Sequence, residues 1–187
     1  TEIPLLYQSL GVRGRILVQL SKYLNFEAIK AETSWSTYHL PVSSSLLNQT
    51  YLDRTTARNF LTVAMRENML REIDYVLPPD VFKQKWQEAK KGKVNARLVG
   101  DKIESDYHGS KRLIADRLPQ LSEPVLLNID ASYFDTADPA GLADQLKKSK
   151  LKVDVVTFCY STDNPDVTSE ERKNFDQLVK MLTGLGR

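Results

Sequence analysis

Cysteine and histidine are nearly absent from this chain. One cysteine, Cys159, in 187 residues excludes an intramolecular disulfide and a multi-cysteine metal site, and it fits a reducing compartment. The two histidines, His39 and His108, fall in no H-x-x-x-H, H-x-H or D-x-H pattern, the spacings that would place imidazoles on one metal. Glycine is also sparse. No Gly-rich phosphate loop is present, because Gly11 and Gly14 precede a strand pattern instead of following one. Ser43-Ser44-Ser45 lacks the G-x-S-x-G context of a nucleophile elbow. No run approaches the ~18 apolar residues that span a bilayer. Formal net charge is only +2, which gives no whole-chain argument for nucleic acid. Lys90, Lys91 and Lys93 cluster near a helix end, where they favour the helix dipole. The expected partner is a small molecule or a protein, with no nucleic acid and no membrane. The chain opens at Thr1 and shows no signal peptide; the expectation is a soluble cytoplasmic protein, with export after removal of a leader as the alternative.

What is present is an alternation of strand and helix patterns. Ile16, Leu17, Val18 and Leu20 predict a first strand. Residues 33–50 are rich in Ser, Thr and Asn and read as a long loop. Asp53 is a good N-cap for a helix carrying Phe60, Leu61, Ala64, Met65 and Met69 at helical spacing. Asn68 suits the left-handed residue that ends it. Ile73 to Leu77 predicts a strand, and Pro79 the first turn of a helix with Phe82, Trp86 and Ala89 on its apolar stripe. Val94 to Tyr107 predicts a hairpin turning at Gly100-Asp101. Ser110 to Leu118 predicts a helix, with Leu113, Ile114 and Arg117 at its spacing. Val125 to Asp130 reads as a buried strand. Asp138-Pro139 starts a helix whose inner face is Leu142, Ala143 and Leu146. The apolar run Val153 to Phe158 suits a strand covered on both faces. Thr168-x-x-Glu171 is a capping box for a last helix, with Phe175, Leu178, Val179 and Leu182 inside and Gly184 at its end. This order predicts a single α/β domain over residues 1–187: three layers, α/β/α, around a mostly parallel sheet with a short antiparallel hairpin.

Open parallel sheets bind ligands beyond the carboxyl ends of their strands. The polar residues placed there form the candidate pocket: Ser21, Tyr23 and Asn25 after the first strand; Asp130, Ser132, Tyr133 and Asp135 after the Val125 strand; Tyr160, Ser161 and Asp163 after the Val153 strand. The plainer reading is that these are loop and capping residues, with Asp163 and Asp166 shaping a turn. The most telling stretch is Ile129-Asp130-Ala131-Ser132-Tyr133-Phe134-Asp135. A metal enzyme wants a second carboxylate two residues after Asp130, since alternate residues near a strand end can face one site. Ser132 stands there.

Three segments resemble an uncharacterised bacterial group of arginase-like proteins, related to the ureohydrolase and deacetylase fold. Asn59 to Pro78 is similar to the group's N-F-(I/L)-x-x-A stretch that runs on through E-G to E-I-x-W-V-V-P, with Asn68 in place of the Gly. Val125 to Asp135 is similar to V-L-L-S-I-D-L-D-Y-F-D. Val18 to Phe26 lies where the group has a strand ending in H-I-D-x-H-x-D. The resemblance implies two metal ions beyond the strand ends that activate a water against a carbon–nitrogen bond. It also implies that the ligand positions are lost here. The group's Asp, His and Asp fall on Ser21, Tyr23 and Asn25, and the second Asp of its D-x-D motif falls on Ser132. The resulting expectation is a degenerate, metal-free relative with no cofactor and no catalytic residue, acting as a binding or structural protein. The alternative is a hydrolase with a remodelled, metal-independent site at the same strand ends.

Overall fold

The computed structural model describes residues 3–24, 60–92, 96–107, 110–162 and 164–184. Its contacts divide the chain into two compact units, Thr1–Gly14 with Asn25–Arg71 and Arg15–Leu24 with Glu72–Arg187. The loop expected over residues 33–50, the N-cap at Asp53 and both histidines lie outside the described residues.

In the first unit, α1 (Ile3–Ser9) packs on α2 (Phe60–Arg66). Tyr7, Phe60, Leu61, Ala64 and Met65 are buried, as helical spacing requires. Helix α2 stops where Asn68 takes φ 54°, a left-handed conformation that Asn tolerates better than most residues. Met69, expected on the helix, lies past this stop.

The second unit carries the sheet, apart from Leu70 and Arg71 at the start of one strand. Its strands are β1 (Arg15–Leu20), β2 (Leu70–Val76), β3 (Arg97–Val99), β4 (Lys102–Tyr107), β5 (Ser110–Ala115), β6 (Val125–Asp130) and β7 (Val153–Cys159). They lie in the order β3-β4-β5-β2-β1-β6-β7. β1 with β6, β6 with β7, and β2 with β5 are parallel; β3-β4-β5 is antiparallel. The fold is therefore mixed α/β around a seven-stranded, mostly parallel sheet. Its helices are α3 (Pro79–Lys90), α4 (Pro139–Lys148) and α5 (Ser169–Thr183), with a 3₁₀ turn at Ala131–Asp135. Leu142 and Ala143 of α4 and Phe175 and Leu178 of α5 share one core with Ile16, Val18, Leu20, Leu127 and Ile129, the alternate residues of β1 and β6.

Local chemistry sets the element ends. Asp138 caps α4 by accepting from the N–H groups of Ala140 and Gly141. Thr168 and Glu171 form the expected reciprocal box at the start of α5, and Gly184 ends that helix at φ 68°. Gly100 turns the β3–β4 hairpin at φ 60°, where a Cβ would be strained.

Two expectations fail. Ser110 to Leu118 is not a helix: Ser110–Ala115 is strand β5. Ile114 lies beside Tyr75 and Ile103, and Leu113 beside Asp74 and Glu104. Strand partners on both sides outweigh three apolar residues at helical spacing. Nor is β7 covered on both faces. It is a sheet edge, with Val156 43% and Phe158 38% exposed. The apolar run there reflects its packing on β6 and on Phe175. The strand expected at Ile73 to Leu77 starts three residues earlier, at Leu70.

Candidate functional site

Parallel pairing brings the ends of β1, β6 and β7 together, with Leu20 beside Ile129 and Asp130 beside Cys159. Four of the sequence-selected residues meet here. Asp130 ends β6 and caps the following 3₁₀ turn: its Oδ1 accepts from the Ser132 N–H at 2.8 Å. Its Oδ2 accepts from the Ser161 hydroxyl at 2.8 Å. The Ser132 hydroxyl lies 3.2 Å from that of Ser21, which in turn accepts from the Tyr23 N–H at 3.0 Å. Ser21 and Ser132 are fully buried and Asp130 nearly so.

Ser161 is held in an unusual backbone state, φ 52°. The Arg172 guanidinium explains how: it donates to the carbonyls of Ser161 at 3.0 Å and Asn164 at 3.2 Å, folding the loop after β7 onto α5. Cys159 joins the cluster with its sulfur 3.6 Å from the Ser161 hydroxyl. Burial first, and then the Asp130 carboxylate, push its thiol up to about 11.

Tyr133, Tyr160 and Asp135 lie away from this cluster. Tyr133 is buried in the core under α4 and α5, edge-on to Phe134; burial pushes its phenol up to about 12. Tyr160 lays its ring on Phe175 and donates its hydroxyl to Asp176 at 3.2 Å. Asp135 is exposed, with the Lys22 ammonium at 3.5 Å. Asn25 and Asp163 lie outside the described residues. An open cleft of about 330 Å³ lies against the 3₁₀ turn and the start of α4, lined by Asp135, Asp138, Asn174 and Gln177 among others, and does not include Asp130.

Two groupings escaped the sequence reading. Lys22 donates to Glu171 at 2.9 Å, and the Tyr23 ring lies 5.5 Å from its ammonium. Burial pulls the Lys22 ammonium down, but the hydrogen bond and charge of Glu171 outweigh it and leave it raised. Beneath the strand ends, Gln19, Asn128 and Thr157 stand side by side on β1, β6 and β7. Asn128 donates to Gln19 at 2.7 Å and accepts from Thr157 at 2.8 Å. All three are buried. The signal was one polar residue interrupting the apolar run of each of three strands, but only the register aligns them.

The chemistry of this set does not suit a divalent metal. It offers one carboxylate, with both oxygens already accepting hydrogen bonds, and hydroxyls engaged with one another, where such ions want several charged or imidazole ligands. Among the described residues, no group of three or more His, Cys, Asp or Glu is placed to hold a metal ion. No helix among them is long and apolar enough to cross a membrane. No family model, no curated protein and no solved structure matches this chain.

Proposed function

We propose that this chain is a metal-free relative of the arginase-like hydrolases that acts by binding or as a structural part, without catalysis. One observation supports this above the others. The polar atoms at the strand ends are used up within the chain: Asp130 caps the turn that follows it and holds Ser161, while Ser21 and Ser132 hold each other. A cap orders the backbone and leaves little for a ligand. Equilibrium dialysis against Mn²⁺, Zn²⁺ and Fe²⁺ tests the reading. The expected result is no stoichiometric binding. Stoichiometric metal that disappears in Asp130→Asn would sink it.

A hydrolase with a remodelled site is the second reading, and Ser161 favours it. The residue is partly exposed, its hydroxyl is bonded to a carboxylate, and it is carried on left-handed backbone at a strand end, where a nucleophile can be presented with its base. Turnover of activated esters that Ser161→Ala abolishes, without loss of folding, would favour this reading over the first.

A further inference from the structure

Edge strands that avoid pairing with other chains carry a device against it, such as a lysine, a proline, an inward charge or a bulge. β7 has one such device, and it sits at one end. The register with β6 slips between Val153 and Val155, and Asp154 in that bulge is bound by Arg15. From Val155 to Cys159 the strand is regular and holds no charge, proline or glycine. Among the described residues no strand lies on its other side. Val156, Phe158 and Tyr160, at alternate positions, are 43%, 38% and 39% exposed.

We propose that β7 is a self-association edge, pairing antiparallel with β7 of a second copy about a two-fold axis at Thr157. This register sets Val156 of each copy beside Phe158 of the other, so symmetry covers both exposed side chains twice. The charges at the two ends of the strand favour the same arrangement. Before β7 come Lys147, Lys148, Lys150 and Lys152, all exposed, with no acidic residue among them. After it comes exposed Asp166, and Asp176 lies beneath Tyr160. Antiparallel pairing turns the basic end of each copy toward the acidic end of the other. Parallel pairing would stack lysines on lysines. A second copy supplies both halves of this complementarity at once, which is why we assign the edge to it.

Sedimentation of the 187-residue chain at low salt, up to on the order of 100 µM, is the test. The expected mass is twice that of the chain. Val156→Lys places a charge on the exposed edge and is expected to give a monomer with unchanged circular dichroism. Lys150→Glu with Lys152→Glu is expected to weaken association by about tenfold, because two-fold symmetry counts each exposed charge twice. Adding Asp166→Lys to that pair should restore it. A monomeric parent chain, or a dimer that neither the edge charge nor the charge reversal weakens, overturns the proposal.

Discussion

The Lys22 ammonium sits 2.9 Å from Glu171 Oε1, tying the second residue after β1 to the first turn of the last helix. Glu171 is almost fully buried and also completes the capping box with Thr168. Burial alone would raise its carboxyl; the Thr168 N–H and Lys22 outweigh that and hold it below the usual value. Glu171→Gln keeps the shape and removes the charge, leaving Lys22 without its closest partner. The expected loss is about 2 kcal/mol in urea unfolding. A group held below its unfolded value stabilises the fold above that value, about 4.3, and the contribution fades as pH falls through the folded value. The difference between parent and variant should therefore be full at pH 7 and shrink in acid.

Asp74 should do the reverse. It lies on β2 with both carboxylate oxygens buried and, among the described residues, unpartnered. Burial, and then the neighbouring Glu72 carboxylate, push it up to about 6; Lys102 and Lys111 offset this only in part. The native state therefore holds a proton more tightly than the unfolded chain. The contribution of Asp74 to stability is greatest below about pH 4 and falls as pH rises through about 6. Asp74→Asn removes the ionisation. Denaturant melts should show the variant gaining on the parent by on the order of 2–3 kcal/mol between pH 4 and pH 8. A constant difference across that range would refute the account.

The buried amide of Asn128 bonds to Gln19 on one side and Thr157 on the other. Asn128→Ala strands both partners and is expected to cost about 2–4 kcal/mol, since buried polar groups without partners are expensive. Replacing Gln19 by Leu in the same chain should recover part of that loss, because both ends of one bond are then gone. A double-mutant cycle read by thermal unfolding measures the coupling.

Cys159 should be unreactive in the folded chain. With its thiol pushed up to about 11, almost no thiolate exists at neutral pH, and thiolate is the reacting form. Labelling by a disulfide reagent at pH 7.5 should be slow and should accelerate sharply in denaturant. Asp130→Asn, which removes the neighbouring negative charge, should speed native-state labelling modestly.

Much of the fold is legible in the sequence because its signals are local. Capping at Asp138 and Thr168, the left-handed stops at Asn68 and Gly184, and the apolar run of β6 each need only a few neighbours to act. β5 was missed because its strand character comes from β4 and β2, far from any short-range pattern. The exposure of β7 was missed for the mirror reason: position in a sheet is not a property of a run. The candidate site was half legible. Strand-end placement brought Ser21, Asp130, Ser132 and Ser161 together, whereas Tyr133 and Tyr160 turned to the aromatic packing around Phe134 and Phe175. The Lys22–Glu171 pair joins residues 149 positions apart, a distance over which spacing carries no information.

The row Gln19, Asn128 and Thr157 also tells the chain where to stop sliding. If β7 moved by one residue against β6, Asn128 would meet Val156 or Phe158, and the faces of the strand would exchange. A slip of two would bring it Val155 or Cys159 instead, neither offering its hydroxyl bond. The apolar residues around it, Leu126, Val155 and Val156, are near enough in kind to accept several alignments. Three polar side chains that fit one alignment only turn an interchangeable set of strands into an addressed one.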